Sequence, residues 1–151
     1  MGALWCTGRF PKGGGVMACL SRIGVARMGV RVGDINYGGH MGNDKALLAF
    51  HDARLAYLEA LGFSEGDIGG AGIIMRDAYV LFHREVWRRD VLVVDVGIED
   101  VRNSSFTMTY TVRRESDDEV VFTGRTVLVA FDYGSRRPVR VPEVFREKIG
   151  A

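Results

Sequence analysis

Between residues 34 and 54 the chain gathers side chains able to move a proton or hold a polar group: Asp34, Asn36, His40, Asn43, Asp44, His51, Asp52 and Arg54. A carboxylate or an imidazole can take a proton near neutral pH, whereas an amide such as Asn36 can only orient one. Asp44 and His51 are seven residues apart, so on a helix they share a face within about 20°. Asp44 has two open roles, proton acceptor or helix cap. Asp34 reads as a loop residue bonding to nearby backbone, and His40 as a side chain holding the loop. Histidines 40, 51 and 83 lack the spacing of a zinc site, so no metal is expected. No GK[ST] follows the glycine run at 13–15, which excludes a P-loop, and no GxSxG elbow offers a nucleophilic serine.

These residues need a loop and a helix to hold them. DINYGGHMGN (34–43) is too rich in glycine for a regular element, and Asn43 or Asp44 is a natural start for a helix running to about Leu61, with Gly62 as its stop. The helix is apolar around most of its circumference, with only a narrow stripe of Lys45, Asp52 and Glu59 left polar. Such a helix is expected in the core, with Leu47, Phe50, Tyr57 and Leu58 packed inside. A first strand precedes the loop, around Ile23–Val32. Four more are expected at 73–82, 91–101, 106–114 and 120–132, where β-branched and aromatic residues dominate. Phe106, Met108, Tyr110 and Val112 alternate with Thr107, Thr109, Thr111 and Arg113, so the third of these four has one apolar face. Short connections between strands favour an antiparallel sheet. One sheet curled around one helix satisfies this order, an α+β arrangement, and a short helical turn follows Pro142.

The 151 residues are 47% hydrophobic and 26% charged, which suits one folded domain and excludes a disordered chain. Twenty basic residues against nineteen acidic ones leave a net charge of +1, so no electrostatic case for nucleic acid or an anionic membrane arises. No apolar run approaches the roughly 20 residues that cross a bilayer. Cys6 and Cys19 form neither a CxxC pair nor a disulfide framework, which points to a reducing, cytoplasmic setting. Residues 1–20, with Gly13–Gly15 inside them, are expected to be an extension to a domain spanning 21–151. A packed amino-terminal strand is the competing expectation.

RVGDINYGGHMGNDKALLAFHDARLAYLEALGF resembles the first strand, loop and central helix of hotdog-fold acyl-CoA thioesterases of the 4-hydroxybenzoyl-CoA thioesterase type. The family pattern RxxDxDxxGHxxNxxYLxxFExAR is met by Arg31, Asp34, Gly39, His40, Asn43, Phe50, Ala53 and Arg54. REVWRRDVLVV, NSSFTMTYTV and the final strand and tail also fit in order, over about residues 22–146. The resemblance implies a thioester bound near the start of the central helix at a seam between two subunits, hence a homodimer or a dimer of dimers. The N–H groups of Gly42, Asn43 and Asp44 would polarise its carbonyl. Glycines 38, 39 and 42 would let substrate approach the main chain, and His40, Ser104 and Ser105 would lie near the thioester or pantetheine.

One departure matters. The family's catalytic carboxylate is the second acid of DxD, and Asn36 stands in its place. The expected mechanism is therefore a water held by Asn36 and activated by Asp44 or His51, without a cofactor. The acyl group would be small or medium, or aromatic, carried on coenzyme A or a carrier protein. Arg88, Arg89, Arg136, Arg137 and Arg140 are candidates for coenzyme A phosphates. A non-catalytic hotdog module that binds acyl thioesters is the alternative that Asn36 suggests. A dehydratase on the same fold fits less well, because it needs a histidine and helix carboxylate in another motif.

Overall fold

In the computed structural model, residues 23–151 are described, so the expected extension over 1–20 lies outside them. The order is β1 (Ile23–Gly29), a 3-10 turn (Val32–Asp34), α1 (Asp44–Ala60), β2 (Gly72–Phe82), β3 (Val91–Glu99), β4 (Ser105–Arg114), β5 (Val120–Asp132), β6 (Arg137–Pro138) and α2 (Glu143–Ile149). The long strands form one antiparallel sheet in the order β1-β3-β4-β5-β2, with β6 added to β5. Each predicted strand is present within a few residues of its expected ends. Gly62 ends α1 with φ +84°, a left-handed turn that favours glycine.

The alternation in β4 is realised in space. Phe106, Met108, Tyr110 and Val112 are buried beneath α1 beside Leu92, Val94, Val96 and Ile98 of β3. The helix presses Ala46, Ala49, Phe50, Ala53, Tyr57 and Leu58 into this surface, all essentially inaccessible. Phe50 lies flat on Tyr110, ring centroids 4.3 Å apart and planes 10° from parallel. Gly124 permits this stack: it sits opposite Tyr110, and a Cβ there would lie 2.5 Å from the Phe50 ring.

One expectation about the core is corrected. Leu47 is 41% exposed and its neighbour Leu48 is 48% exposed. The sheet covers only one side of α1, so these leucines point away from it, and among the described residues they stay about half exposed. A helix apolar nearly all round favours an interior, and this side of it is left open among the described residues.

Candidate active site

The loop before α1 is built on Asn36. Its side-chain Oδ1 accepts from Gly38 N–H at 2.9 Å, its own N–H donates to the His40 carbonyl at 2.9 Å, and its carbonyl accepts from Gly39 N–H at 3.0 Å. Gly39 takes φ +80° to close the turn. The amide oxygen is thus spent inside the loop, and the Asn36 amide nitrogen has no partner among the described residues. The ring Nδ1 of His40 lies 3.2 Å from the Met41 carbonyl, the loop-holding role that its position suggested. Asp34 also acts locally, its Oδ2 accepting from Arg31 N–H at 2.8 Å.

This loop delivers the start of α1. Of the three N–H groups expected to be open there, Gly42's is not: it donates to the Asp34 carbonyl at 2.8 Å. The electropositive pair is therefore Asn43 and Asp44, whose N–H groups have no internal acceptor among the described residues. Asn43 occupies the cap position in helical conformation, and no side chain caps the helix. Asp44, offered as a possible cap, instead turns its carboxylate outward, 74% exposed and 3.4 Å from Lys45 Nζ. It also folds back over Gly42, where a Cβ would stand 2.5 Å from Asp44 Oδ1 and 3.8 Å from Asn36 Cβ. Asn36, Gly42 and Asp44 are therefore immediate neighbours.

Two cavities flank the helix start. One, about 300 Å³, is lined by Asp44, Leu47, Leu48, His51, Arg54, Met75 and Thr126. The other, about 230 Å³, includes His40, Asn43, His83, Glu85 and Val86 in its wall. In the first, Asp44 and His51 share a helix face and look into common space. Its inner wall is a polar chain that runs into the core. His51 Nε2 lies 3.0 Å from Glu65 Oε2, and Arg54 Nε donates to Glu65 Oε1 at 2.5 Å. The Arg54 guanidinium reaches the Tyr110 hydroxyl at 3.4 Å, and that hydroxyl lies 2.9 Å from Thr126 Oγ1. Arg54 is only 7% exposed. Partial burial works to raise the Glu65 carboxyl's pKa, but the hydrogen bonds and charges of Arg54 and His51 outweigh it and hold the group below its ordinary range. Burial pushes the Tyr110 hydroxyl upward.

Glu65 escaped the sequence reading because Ser64-Glu65-Gly66-Asp67 has the look of a solvated turn. The available clue was Arg54, a lone cation among apolar helix residues and three positions from His51, which must have a partner once buried. Ser104 and Ser105 lie away from the helix start of their own chain. Ser105 pairs with Val129 at one end of β4, whereas the helix start, through Met41 N–H to the Val86 carbonyl, adjoins the other end, where Val112 pairs with Phe122. The separation along the strand is about 23 Å at ~3.3 Å per residue, so within one chain these serines do not reach Asp44. The arginines divide likewise. Arg88 and Arg89 follow Val86 after Trp87, while Arg136, Arg137 and Arg140 sit around β6 at the far end.

Beside the first cavity runs β2, whose Ile74, Met75, Tyr79, Leu81 and Phe82 are 42–52% exposed. Met75 and Phe82 lie on the core face of the strand and Ile74, Tyr79 and Leu81 on the opposite face. Leu47, Leu48 and Met75, which share the first cavity, make an apolar flank left open among the described residues.

A curled antiparallel sheet around a central helix, with a polar loop leading into the helix start, defines the hotdog architecture. The sequence model of the Thioesterase-like superfamily matches residues 30–149, and the chain belongs to that superfamily. Fold and family together make it a thioester hydrolase. Among solved structures it is similar to the 1,4-dihydroxy-2-naphthoyl-CoA thioesterase of Synechocystis, at 18% identity and TM-score 0.76, over 84% of this chain and 95% of that one. It is similar also to a thioesterase of Thermus thermophilus complexed with coenzyme A and Zn, at 28% identity and TM-score 0.72, over 83% of this chain and 91% of that one. SAV2348 of Staphylococcus aureus, in complex with CoA, matches at 20% identity and TM-score 0.75, over 83% of this chain and 80% of that one. Comparison with curated proteins finds no match.

Proposed function

We propose that this protein hydrolyses an acyl-coenzyme A thioester at a site that two copies of the chain complete. The observation that carries the reading is the pair of open N–H groups at Asn43 and Asp44, beside a cavity that Asp44 and His51 both line. Placed there, a thioester carbonyl oxygen meets two preorganised donors and the positive end of a helix dipole, which stabilise the oxyanion of a tetrahedral intermediate. Asn36 contributes its free amide nitrogen as a donor to substrate or water. The acyl group enters the cavity walled by Leu47, Leu48 and Met75. Pantetheine follows the second cavity past His40 towards Arg88 and Arg89, which meet the phosphates. The proposed reaction needs water and no cofactor.

The second copy follows from the uncovered flank. A two-fold axis passing between Leu47 and Leu48 sets the two α1 helices antiparallel and pairs residues whose numbers sum to 95. Asp44 of one chain then faces His51 of the partner subunit, an acid against a base at each end of the seam. The β2 edges lie alongside and cover one another's apolar side chains. Two such dimers back to back would make the tetramer. A cytoplasmic location fits two cysteines that form no disulfide pattern.

A panel of short, medium and aromatic acyl-CoA esters with a thiol-trapping reagent tests this reading. Thiol release on the order of 1 per second is expected, with Asp44→Asn reducing it at least tenfold. Tight binding without release would instead make the protein a non-catalytic thioester-binding module.

A further inference from the structure

Glu65 belongs to none of the motifs that place the chain in its family, and it lies in the loop after α1 rather than on it. Yet its two carboxylate oxygens serve two helix side chains at once, His51 at 3.0 Å and Arg54 at 2.5 Å. We infer that Glu65 is a positioning residue which, anchored by the buried Arg54, fixes the tautomer of His51 and makes that imidazole the proton acceptor of the thioesterase reaction. The inference rests on the proposed thioester hydrolysis for its kinetic consequence, but its structural part stands independently.

An ionised carboxylate can only accept, so the ring nitrogen facing Glu65, Nε2, must carry the hydrogen. In the neutral ring Nδ1 is then the bare, basic nitrogen. Arg54 does for Glu65 what Glu65 does for His51: its Nε–H holds one oxygen so that the other faces the imidazole, and Tyr110 takes up a further guanidinium hydrogen. His51 thus has a fixed ring plane and a fixed proton, unlike Asp44, whose carboxylate is mostly in solvent. The charged groups around the imidazole are Glu65 and Arg54, with Asp44 on the same cavity wall.

In the reaction, Nδ1 removes a proton from water as its oxygen bonds to the thioester carbon. The carbonyl π pair moves onto oxygen under the N–H groups of the partner subunit's Asn43 and the partner subunit's Asp44. When that pair returns, the C–S bond breaks, and the imidazolium returns its proton to the departing thiolate. One water and one thioester give one carboxylic acid and one thiol.

Glu65→Gln keeps the size of the side chain and replaces the acceptor-only group with one able to donate. Nitrogen-15 NMR of the imidazoles should show the Nε2–H tautomer for His51 in the wild type and a shift towards Nδ1–H in Glu65→Gln. With acyl-CoA, kcat should fall ten- to a hundredfold with KM within about twofold. Glu65→Asp should recover part of kcat. In a His51→Ala background Glu65→Gln should change kcat by less than twofold. Wild-type His51 as the Nδ1–H tautomer, or an equal loss from Glu65→Gln with and without His51, would overturn the inference. A wild type that releases no thiol but shows the Nε2–H tautomer would overturn the kinetic half along with the proposed function, leaving the anchored imidazole standing. If Glu65→Gln does not fold, the wild-type tautomer alone decides.

Discussion

The two edges of the sheet are unlike. β1, seven residues long, carries a bulge between Gly24 and Ala26 and is tied by Arg27, whose guanidinium binds both oxygens of Glu115 at 2.7 and 2.8 Å. Short, bulged and charged strands resist pairing with another chain. β2 is eleven residues long and leaves apolar side chains about half exposed on both faces, Met75 and Phe82 on one and Ile74, Tyr79 and Leu81 on the other. It adjoins the bare Leu47 and Leu48 side of α1 and the Asp44–His51 cavity. Among the described residues one edge is blunted and the other stays open and unfinished. The candidate chemistry sits on the unfinished side.

Breaking that asymmetry should have graded effects. The largest is expected from a charge on the β2 side: Leu48→Asp should dissociate the proposed dimer, by about 3–5 kcal/mol if the charge is buried without a partner, and abolish thiol release. Light scattering checks the mass, and a charge reversal at the other edge, Arg27→Glu, should leave the mass unchanged. Next comes the packed side of the helix. Gly124→Ala drives a methyl into the Phe50 ring and the Tyr79 carbonyl oxygen, and should cost about 1–3 kcal/mol of stability, as overpacking does, read by denaturant unfolding.

A smaller, pH-dependent effect is expected at Glu65. Its carboxyl is held below the ordinary range in the folded chain, so its stabilising contribution is fully present above the unfolded value near 4.5 and is lost as pH falls through the folded value. The stability gap between wild type and Glu65→Gln should therefore shrink on going from pH 6 to pH 3. The smallest effect is expected at the exposed Arg27–Glu115 pair, where Arg27→Ala should leave the denaturant midpoint almost unchanged.

Much of this was legible in the sequence, for identifiable reasons. Period-two alternation in 106–113 and the glycine stop at 62 reflect local rules, so strand faces and helix end were readable directly. Asp44 and His51 could be put on one face by helix geometry alone. Glu65 could not be found, because its pairing depends on how the loop after the helix folds back over it. The engagement of Gly42 N–H by the Asp34 carbonyl is likewise a matter of loop closure, invisible in residue types. Leu47 was misjudged for a physical reason: an all-round apolar helix signals burial without saying by which chain.

The shared site can be tested by mixing two inactive variants, Asp44→Asn and His51→Asn, through unfolding and refolding together. If Asp44 works against the partner's His51, half of the randomly paired dimers hold one intact site of two. Thiol release should then recover to roughly a quarter of the wild-type rate. If both residues of a site come from one chain, every site in the mixture carries a defect, and release that stays at the level of the separate variants would contradict the account.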